Sequence, residues 1–212
     1  EDRAGHLGHS RGTPPERIVL TGNTVVDALH WIRHVPGHPL PAQLGDLPSG
    51  TRLVLVTAHR RESFGAPLER ICDALKALSR ASQGRWHIVY PVHPNPQVHD
   101  LVYRELSAER GITLLPPLDY VDLVNLMAQC RLILTDSGGI QEEAPSLGVP
   151  VLILRETTER PEAVEAGVAR LVGAETARIV AESLRLLRDE AAHAQMARAV
   201  NPFGDGKAAE RI

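Results

Sequence analysis

Short apolar, β-branched runs alternate with stretches of helical period along this chain, and that alternation constrains its fold more than any other feature. The strand candidates are Arg17–Leu20, Leu53–Thr57, His87–Pro91, Thr113–Leu115, Leu132–Thr135, Val151–Leu154 and Leu171–Val172. They are mostly apolar on both faces, which suits parallel strands covered by helices on both sides. Between them, Leu68, Ile71, Cys72, Leu75 and Leu78 form one helical stripe, and Val98, Leu101, Val102 and Leu106 form another. Asp119 reads as the N-cap of a helix carrying Leu123, Val124 and Met127. Gly148 ends a short helix just before the run from Val151, and Ile179, Val180, Leu184 and Leu187 mark a longer one. Strand–helix units repeated in this order predict an open, doubly wound α/β domain with a parallel sheet.

Composition narrows the function classes. The chain has 212 residues, 43% hydrophobic and 23% charged, enough for one large domain or one domain plus extra helices. Its net charge is −3 and no Lys/Arg stripe is present, which argues against a nucleic-acid partner. No apolar stretch reaches the ~18–20 residues that span a bilayer, so no membrane partner is expected. The start, Glu1 to His6, lacks the basic-then-apolar pattern of a signal peptide. Aromatic residues are only 3%, so Leu, Val, Ile and Ala must build the core. Cys72 and Cys130, each among helical apolar positions, read as reduced core residues of a cytoplasmic protein. His6, His9, His87, His99 and His193 show no metal spacing and the cysteines add none, so no metal site is expected. Residues 1–15, rich in Gly, His and Arg and closed by Pro14-Pro15, read as a chain start or an interdomain linker. Pro36–Gly50, with four prolines and three glycines, reads as a loop.

Four segments follow strands and carry polar chemistry. In Thr135-Asp136-Ser137-Gly138-Gly139-Ile140-Gln141-Glu142-Glu143 a buried strand runs into Ser-Gly-Gly and then a helix. Ligands of open α/β sheets sit beyond the carboxyl ends of strands, and a helix start offers free N–H groups to phosphate. The two glycines let a ligand approach the backbone, Ser137 adds a hydroxyl, and Glu143, about one turn on, can take both hydroxyls of a ribose. The same residues also suit a tight turn with a solvated acidic helix start. Pro145 inside that helix removes a backbone donor and predicts a kink. Ala58-His59-Arg60-Arg61-Glu62-Ser63-Phe64-Gly65 follows the strand Leu53–Thr57, at the same sheet edge, with Arg suited to phosphate and His able to titrate near neutrality. A solvated loop with an Arg–Glu pair is the other reading. Arg155 to Glu162 follows the next strand, with Pro161 suited to the first helical position and Thr158 or Arg160 at the phosphate-binding end. A capped helix with surface ion pairs fits equally well. Tyr90-Pro91-Val92-His93-Pro94-Asn95-Pro96 is an extended turn, fixed by three prolines, that aims His93 in a definite direction; it reads as a structural turn first and as a ligand contact through His93 second.

Together these segments resemble the non-hydrolysing UDP-N-acetylglucosamine 2-epimerases. The likeness is carried by Thr21-Gly22-Asn23-Thr24-Val25-Val26-Asp27-Ala28-Leu29, His59-Arg60-Arg61-Glu62-Ser63, His93-Pro94-Asn95-Pro96, Asp136 through Pro145, Thr157 through Gly167, and Asn201-Pro202-Phe203-Gly204-Asp205-Gly206. The resemblance implies two Rossmann-like domains facing a cleft, the glycosyltransferase B architecture, of which this chain is the C-terminal half. On that reading residues 16–200 are the UDP-binding domain, residues 1–15 the linker or truncated start, and residues 201–212 a segment returning toward an N-terminal domain missing here. It implies that His59 contacts substrate and is the one catalytic group of this half. Ser137, Gly138 and Gly139 would hold the diphosphate, Glu143 the ribose and Arg160 the phosphates, while Pro117-Leu118-Asp119-Tyr120 would border the uracil, with Leu118 among the binding residues. Arg60 and His93 match residues that bind a second, regulatory UDP-N-acetylglucosamine in some bacterial members. Many members have Phe where this chain has Leu123. The reaction implied is interconversion of UDP-GlcNAc and UDP-ManNAc by elimination and re-addition of UDP, without a cofactor, in cell-surface polysaccharide biosynthesis. The expected partners are UDP or UDP-N-acetylglucosamine, the N-terminal domain, and a second copy in a full-length homodimer. The chain alone is expected to be inactive. A UDP-sugar-dependent glycosyltransferase domain and a non-catalytic UDP-sugar-binding module are the competing readings.

Overall fold

The computed structural model describes residues 14, 17–35, 40–45 and 47–212. The expectation for residues 1–15 therefore falls almost wholly outside the described residues. Among those described, six strands form one parallel sheet: β1 (Arg52–Thr57), β2 (Trp86–Pro91), β3 (Ile112–Leu115), β4 (Cys130–Thr135), β5 (Val151–Ile153) and β6 (Ala169–Leu171). Their spatial order is β3-β2-β1-β4-β5-β6, the doubly wound arrangement that the alternating pattern predicts. The helices are α1 (Thr24–Arg33), α2 (Ala66–Ser82), α3 (Pro96–Leu106), α4 (Tyr120–Ala128), α5 (Gly138–Glu143), α6 (Pro161–Glu165), α7 (Thr176–Arg188), α8 (Glu190–Ala197) and α9 (Ala208–Arg211).

The strands separate two apolar layers. Val54 and Val56 of β1 face the layer of α2, α3 and α7, whereas Leu53 and Leu55 face the layer of α1, α4 and α5. The α2 stripe is fully buried at Leu68, Ile71, Leu75 and Leu78. Each such side chain contributes about 1.5–3 kcal/mol of burial. Asp119 caps α4 by accepting from the Asp122 N–H at 2.8 Å, and Gly148 turns the chain out of a 3₁₀ segment, Ala144–Leu147, with φ 69°. Pro145 acts as the sequence suggests: α5 stops at Glu143 and the last turn tightens to 3₁₀.

Two expectations are corrected. Arg17–Leu20 is not a strand: it pairs with no strand, and Val19 and Leu20 are 72% and 82% exposed. The apolar run Ile18-Val19-Leu20 is too short to carry a period by which a sheet strand can be told from an apolar surface segment. Cys130 opens β4 rather than lying in a helix. Both cysteines are free and buried, and burial pushes the Cys72 thiol up to about 12.

The C-terminal segment folds back on the start of the described chain. The Asn23 N–H donates to the Phe203 carbonyl at 2.9 Å, and Asp27 accepts from the N–H groups of Ala208 and Ala209. Arg211 donates to the Thr21 carbonyl and pairs with Asp205. Among the described residues no helix is long and apolar enough to cross a membrane.

Candidate functional site

β1 and β4 are neighbours whose chains leave the sheet toward opposite layers, α2 on one side and α5 on the other. A crevice opens at such a switch point. Thr57 and Thr135 end the two strands in register, and their hydroxyls bond each other at 2.6 Å while fully or nearly fully buried. The Asp136 N–H donates to the Thr57 carbonyl at 3.1 Å, and the Ser137 N–H donates to the Thr135 hydroxyl at 2.9 Å. These bonds fix the next residues of both loops relative to each other.

Ser137 occupies the N-cap position of α5, yet its hydroxyl makes no cap hydrogen bond. A serine there normally accepts from the first turn; this hydroxyl is left for something outside the helix. Gly138 and Gly139 open the helix, where N–H groups need partners from beyond it. Neither glycine has a positive φ. A Cβ on Gly138 would meet only the Arg60 Nη2 at 3.6 Å and Glu159 Oε2 at 3.8 Å, and on Gly139 only Glu143 Oε1 at 3.6 Å and Ser137 Oγ at 3.9 Å. Those are ordinary contacts, so the fold alone does not demand glycine at either place.

Across the crevice, Asp136 is wholly buried. Its Oδ2 accepts from the N–H groups of His59 and Arg60, both at 2.8 Å, and from the Ser63 hydroxyl at 3.4 Å. Buried Tyr90 braces the preceding residue by donating to the Ala58 carbonyl at 2.7 Å. The His59 ring stacks on His93, centroids 5.1 Å apart and planes 10° from parallel. Burial lowers the His59 pKa from its usual 6.5; Asp136 opposes this, and His93 and Arg60 add to it. Burial raises the Glu143 carboxyl to about 7, helped by the neighbouring charge of Glu142.

His59, His93, Leu118, Ser137, Gly139 and Glu143 all line one cavity of about 320 Å³, whose apolar side is made by Pro117, Leu123 and Ile140. A larger hollow of about 850 Å³ lies between residues 19–24 and 200–205, away from the strand ends and their loops. Chemistry, rather than size, marks the smaller one.

Comparison with known proteins identifies the family of the chain. The family described as UDP-N-acetylglucosamine 2-epimerase matches residues 6–212. The chain belongs to that family. It is 53% identical over 205 residues to the UDP-N-acetylglucosamine 2-epimerase of Salmonella typhimurium, covering 94% of this chain and 54% of the relative. It thus spans about half the length of the curated relatives it matches. The Staphylococcus aureus MnaA structure with UDP aligns with a TM-score of 0.88 at 42% identity, covering 98% of this chain and 56% of that one. The Neisseria meningitidis UDP-GlcNAc 2-epimerase bound to UDP-GlcNAc aligns at 0.85 and 38% identity, covering 96% and 56%. WaaG, a glycosyltransferase, aligns at 0.62 with 16% identity over 88% of this chain and 51% of its own; that likeness shows the shared glycosyltransferase B-like fold alone.

In this epimerase-family domain, most of the residues named from the sequence converge. Gly138 heads the helix that Gly139 and Glu143 share, and Arg60 lies against its start. Arg160 does not join the cavity wall. Its Nε donates to Glu142 Oε1, Nη1 donates to the Glu159 carbonyl at 3.0 Å, and Glu142 also accepts from Asn23 at 2.6 Å. Thr158 spends its hydroxyl on Gln141 Oε1 and on the Arg160 N–H. Pro161 takes the first position of α6 as expected. Sequence reasoning gave no role to Asp136 or Glu142. Asp136 did carry a signal: a lone acid directly after a buried strand and before two glycines needs donors there, because a buried charge must be hydrogen-bonded.

Proposed function

We propose that this chain is the nucleotide-binding, C-terminal half of a non-hydrolysing UDP-N-acetylglucosamine 2-epimerase, comprising residues 16–200 with residues 201–212 leading back toward the other half. The observation that carries the reading is the pair Gly138 and Gly139, glycines the fold does not require, at the start of a helix whose Gly139 and Glu143 line one cavity with the uncapped Ser137. A diphosphate at the start of α5 takes the N–H groups and the Ser137 hydroxyl; the ribose hydroxyls meet Glu143; the uracil lies along Pro117 and Leu118. Arg60 is poised near the phosphates, and Arg160 reaches them by exchanging Glu142 for phosphate. Arg60 and His93 could instead serve a second UDP-sugar, and the stack of His93 on His59 would link the two.

The reaction on this reading starts with loss of the C2 proton and cleavage of the C1–O bond, which releases UDP and leaves a glycal. UDP then re-adds at C1 while C2 takes a proton on its opposite face, interconverting UDP-GlcNAc and UDP-ManNAc. Preset donors at the helix start stabilise the departing diphosphate. His59 supplies one titratable group; the remaining acid–base groups belong to the other half, and the chain alone turns over no sugar.

Melting the chain with UDP and with uridine tests the assignment. Ligand at a hundred times its Kd raises stability by about 2.7 kcal/mol. Arg160→Ala is expected to weaken UDP ~10- to 100-fold and uridine little, since a charge-assisted bond is worth about 1.5–3 kcal/mol. A folded chain indifferent to millimolar UDP would sink the reading, and equal losses for both ligands would remove Arg160 from the phosphate site.

A further inference from the structure

Asp136 is built to do more than close a loop. It is completely buried, one oxygen is saturated, and the other is not. Oδ2 takes the His59 and Arg60 N–H groups and the Ser63 hydroxyl. Oδ1 has no hydrogen-bond partner among the described residues. A buried carboxylate oxygen without a donor is costly, and its presence calls for a reason. The donor facing it is the His59 ring: Nδ1 lies 3.7 Å from Oδ1, too far for a hydrogen bond but within reach of a small ring rotation. Such bonds are often long before ligand enters and tighten afterwards.

We infer that Asp136 is a positioning residue for His59, holding its backbone through Oδ2 and fixing its imidazole in the Nδ1–H tautomer through Oδ1, so that Nε2 meets the ligand as an acceptor. The two ring nitrogens of a neutral histidine are distinguished by the bond one of them makes. An acceptor-only oxygen beside Nδ1 demands hydrogen on Nδ1 and leaves Nε2 bare. Nε2 makes no hydrogen bond within the described residues, and the ring lines the cavity beside Ser137 and Glu143. The groups facing the ring are Asp136, His93 and Arg60. Burial disfavours a positive charge on the ring; the Asp136 carboxylate opposes this, and the stacked His93 and the cationic Arg60 add to it, so the balance favours the neutral ring. His59 therefore accepts a hydrogen bond or a proton from the ligand and does not serve as a cation for its phosphates. The strand-end bonds between Thr57, Thr135 and Asp136 keep this geometry rigid.

The consequence for the ligand rests on His59 facing substrate as proposed above; the tautomer does not, and it is read in the ligand-free chain. The experiment is ring nitrogen NMR of the ¹⁵N-histidine-labelled chain at pH 8, with the His59 signals assigned by their loss in His59→Ala. The wild-type chain is expected to show Nδ1–H with Nε2 unprotonated, although histidine free in water favours Nε2–H. Asp136→Asn inverts the ratio: the two backbone donors pin the amide oxygen at the Oδ2 position, so the NH₂ group faces Nδ1 and drives the hydrogen to Nε2. Tyr90→Phe, which leaves Asp136 in place, keeps the wild-type tautomer. A wild-type ring in the Nε2–H form overturns the inference without any variant, and so does an unchanged ratio in folded Asp136→Asn. Adding UDP to the same sample reads the proposed function separately: an Nδ1–H ring whose signals ignore UDP sustains the positioning role and defeats the binding site.

Discussion

The two ends of the sheet use the same kinds of residue for opposite purposes. At the amino end, Ser82, at the end of α2, accepts from the Trp86 N–H and donates to its carbonyl, while the indole N–H donates to the Leu78 carbonyl. Glu190 takes Arg52 at 2.6 Å and Arg131 at 2.5 Å, and Arg52 also donates to the Leu187 carbonyl. At the carboxyl end, among the described residues, Ser137 caps nothing, Asp136 keeps one oxygen without a hydrogen bond, and Glu143 lies buried with no cation to meet it. The Arg131 and Glu190 hydrogen bond, with the Arg52 charge beside it, pulls the Glu190 carboxyl down, whereas burial pushes the Glu143 carboxyl up to about 7. One end is largely paired within the protein, with Arg131 Nε the exception among the groups named there. The other leaves polar groups incomplete, and incompleteness is what a ligand can relieve.

The largest expected effect separates glycine kept for a ligand from glycine kept for the backbone. Gly139→Ala should leave the melting temperature unchanged or higher, because alanine favours a helix by up to about 1 kcal/mol and its Cβ meets no close contact. It should nonetheless weaken UDP binding by ~10- to 100-fold, equivalent to about 1.4–2.8 kcal/mol. Gly148→Ala should do the reverse, costing about 1–2 kcal/mol of stability through its φ of 69° and leaving UDP affinity alone. Melting and calorimetry on the two variants decide it; a destabilised Gly139→Ala would return that glycine to a purely structural role.

How much of this contrast was legible beforehand depends on what fixes each feature. The alternating apolar runs placed β1 to β6 in the described sheet to within a residue or two at most ends, because buried parallel strands have few other solutions. Arg17–Leu20 misled, since a short apolar run looks alike whether buried in a sheet or exposed beside the C-terminal segment. Cavity-lining residues were readable because each follows a strand at the carboxyl edge. The state of Arg160 was not, because its pairing with Glu142 and Asn23 joins segments far apart in sequence. Nor was the division of labour between the two Asp136 oxygens, which only the placement of the His59 loop reveals.

A smaller effect should appear in the pH dependence of stability, with opposite sign at the two ends. Glu143 has a folded pKa raised from 4.5 to about 7, so its burial costs nothing below pH 4.5 and weakens the fold progressively as pH rises to 7. Glu143→Gln should therefore melt like wild type at pH 4 and higher than wild type at pH 8. Glu190 has a lowered pKa, so its contribution is present above the ordinary carboxylate range and is lost as pH falls through the lowered value. Glu190→Gln should melt lower than wild type at pH 8 and converge with it in acid. Melting curves across that range check both signs, and a Glu143→Gln chain less stable at pH 8 would mean that Glu143 has a partner in the fold.

The central claim is that the carboxyl end is left incomplete for a nucleotide diphosphate. Its most direct test is a backbone amide NMR titration of the ¹⁵N-labelled chain with UDP. The account predicts saturable shifts at Gly138, Gly139 and Glu143, at His59 and Arg60, and at Leu118, with Trp86, Arg131 and Glu190 unmoved. Saturable shifts confined to the amino end, or none at millimolar UDP in a folded sample, would contradict it.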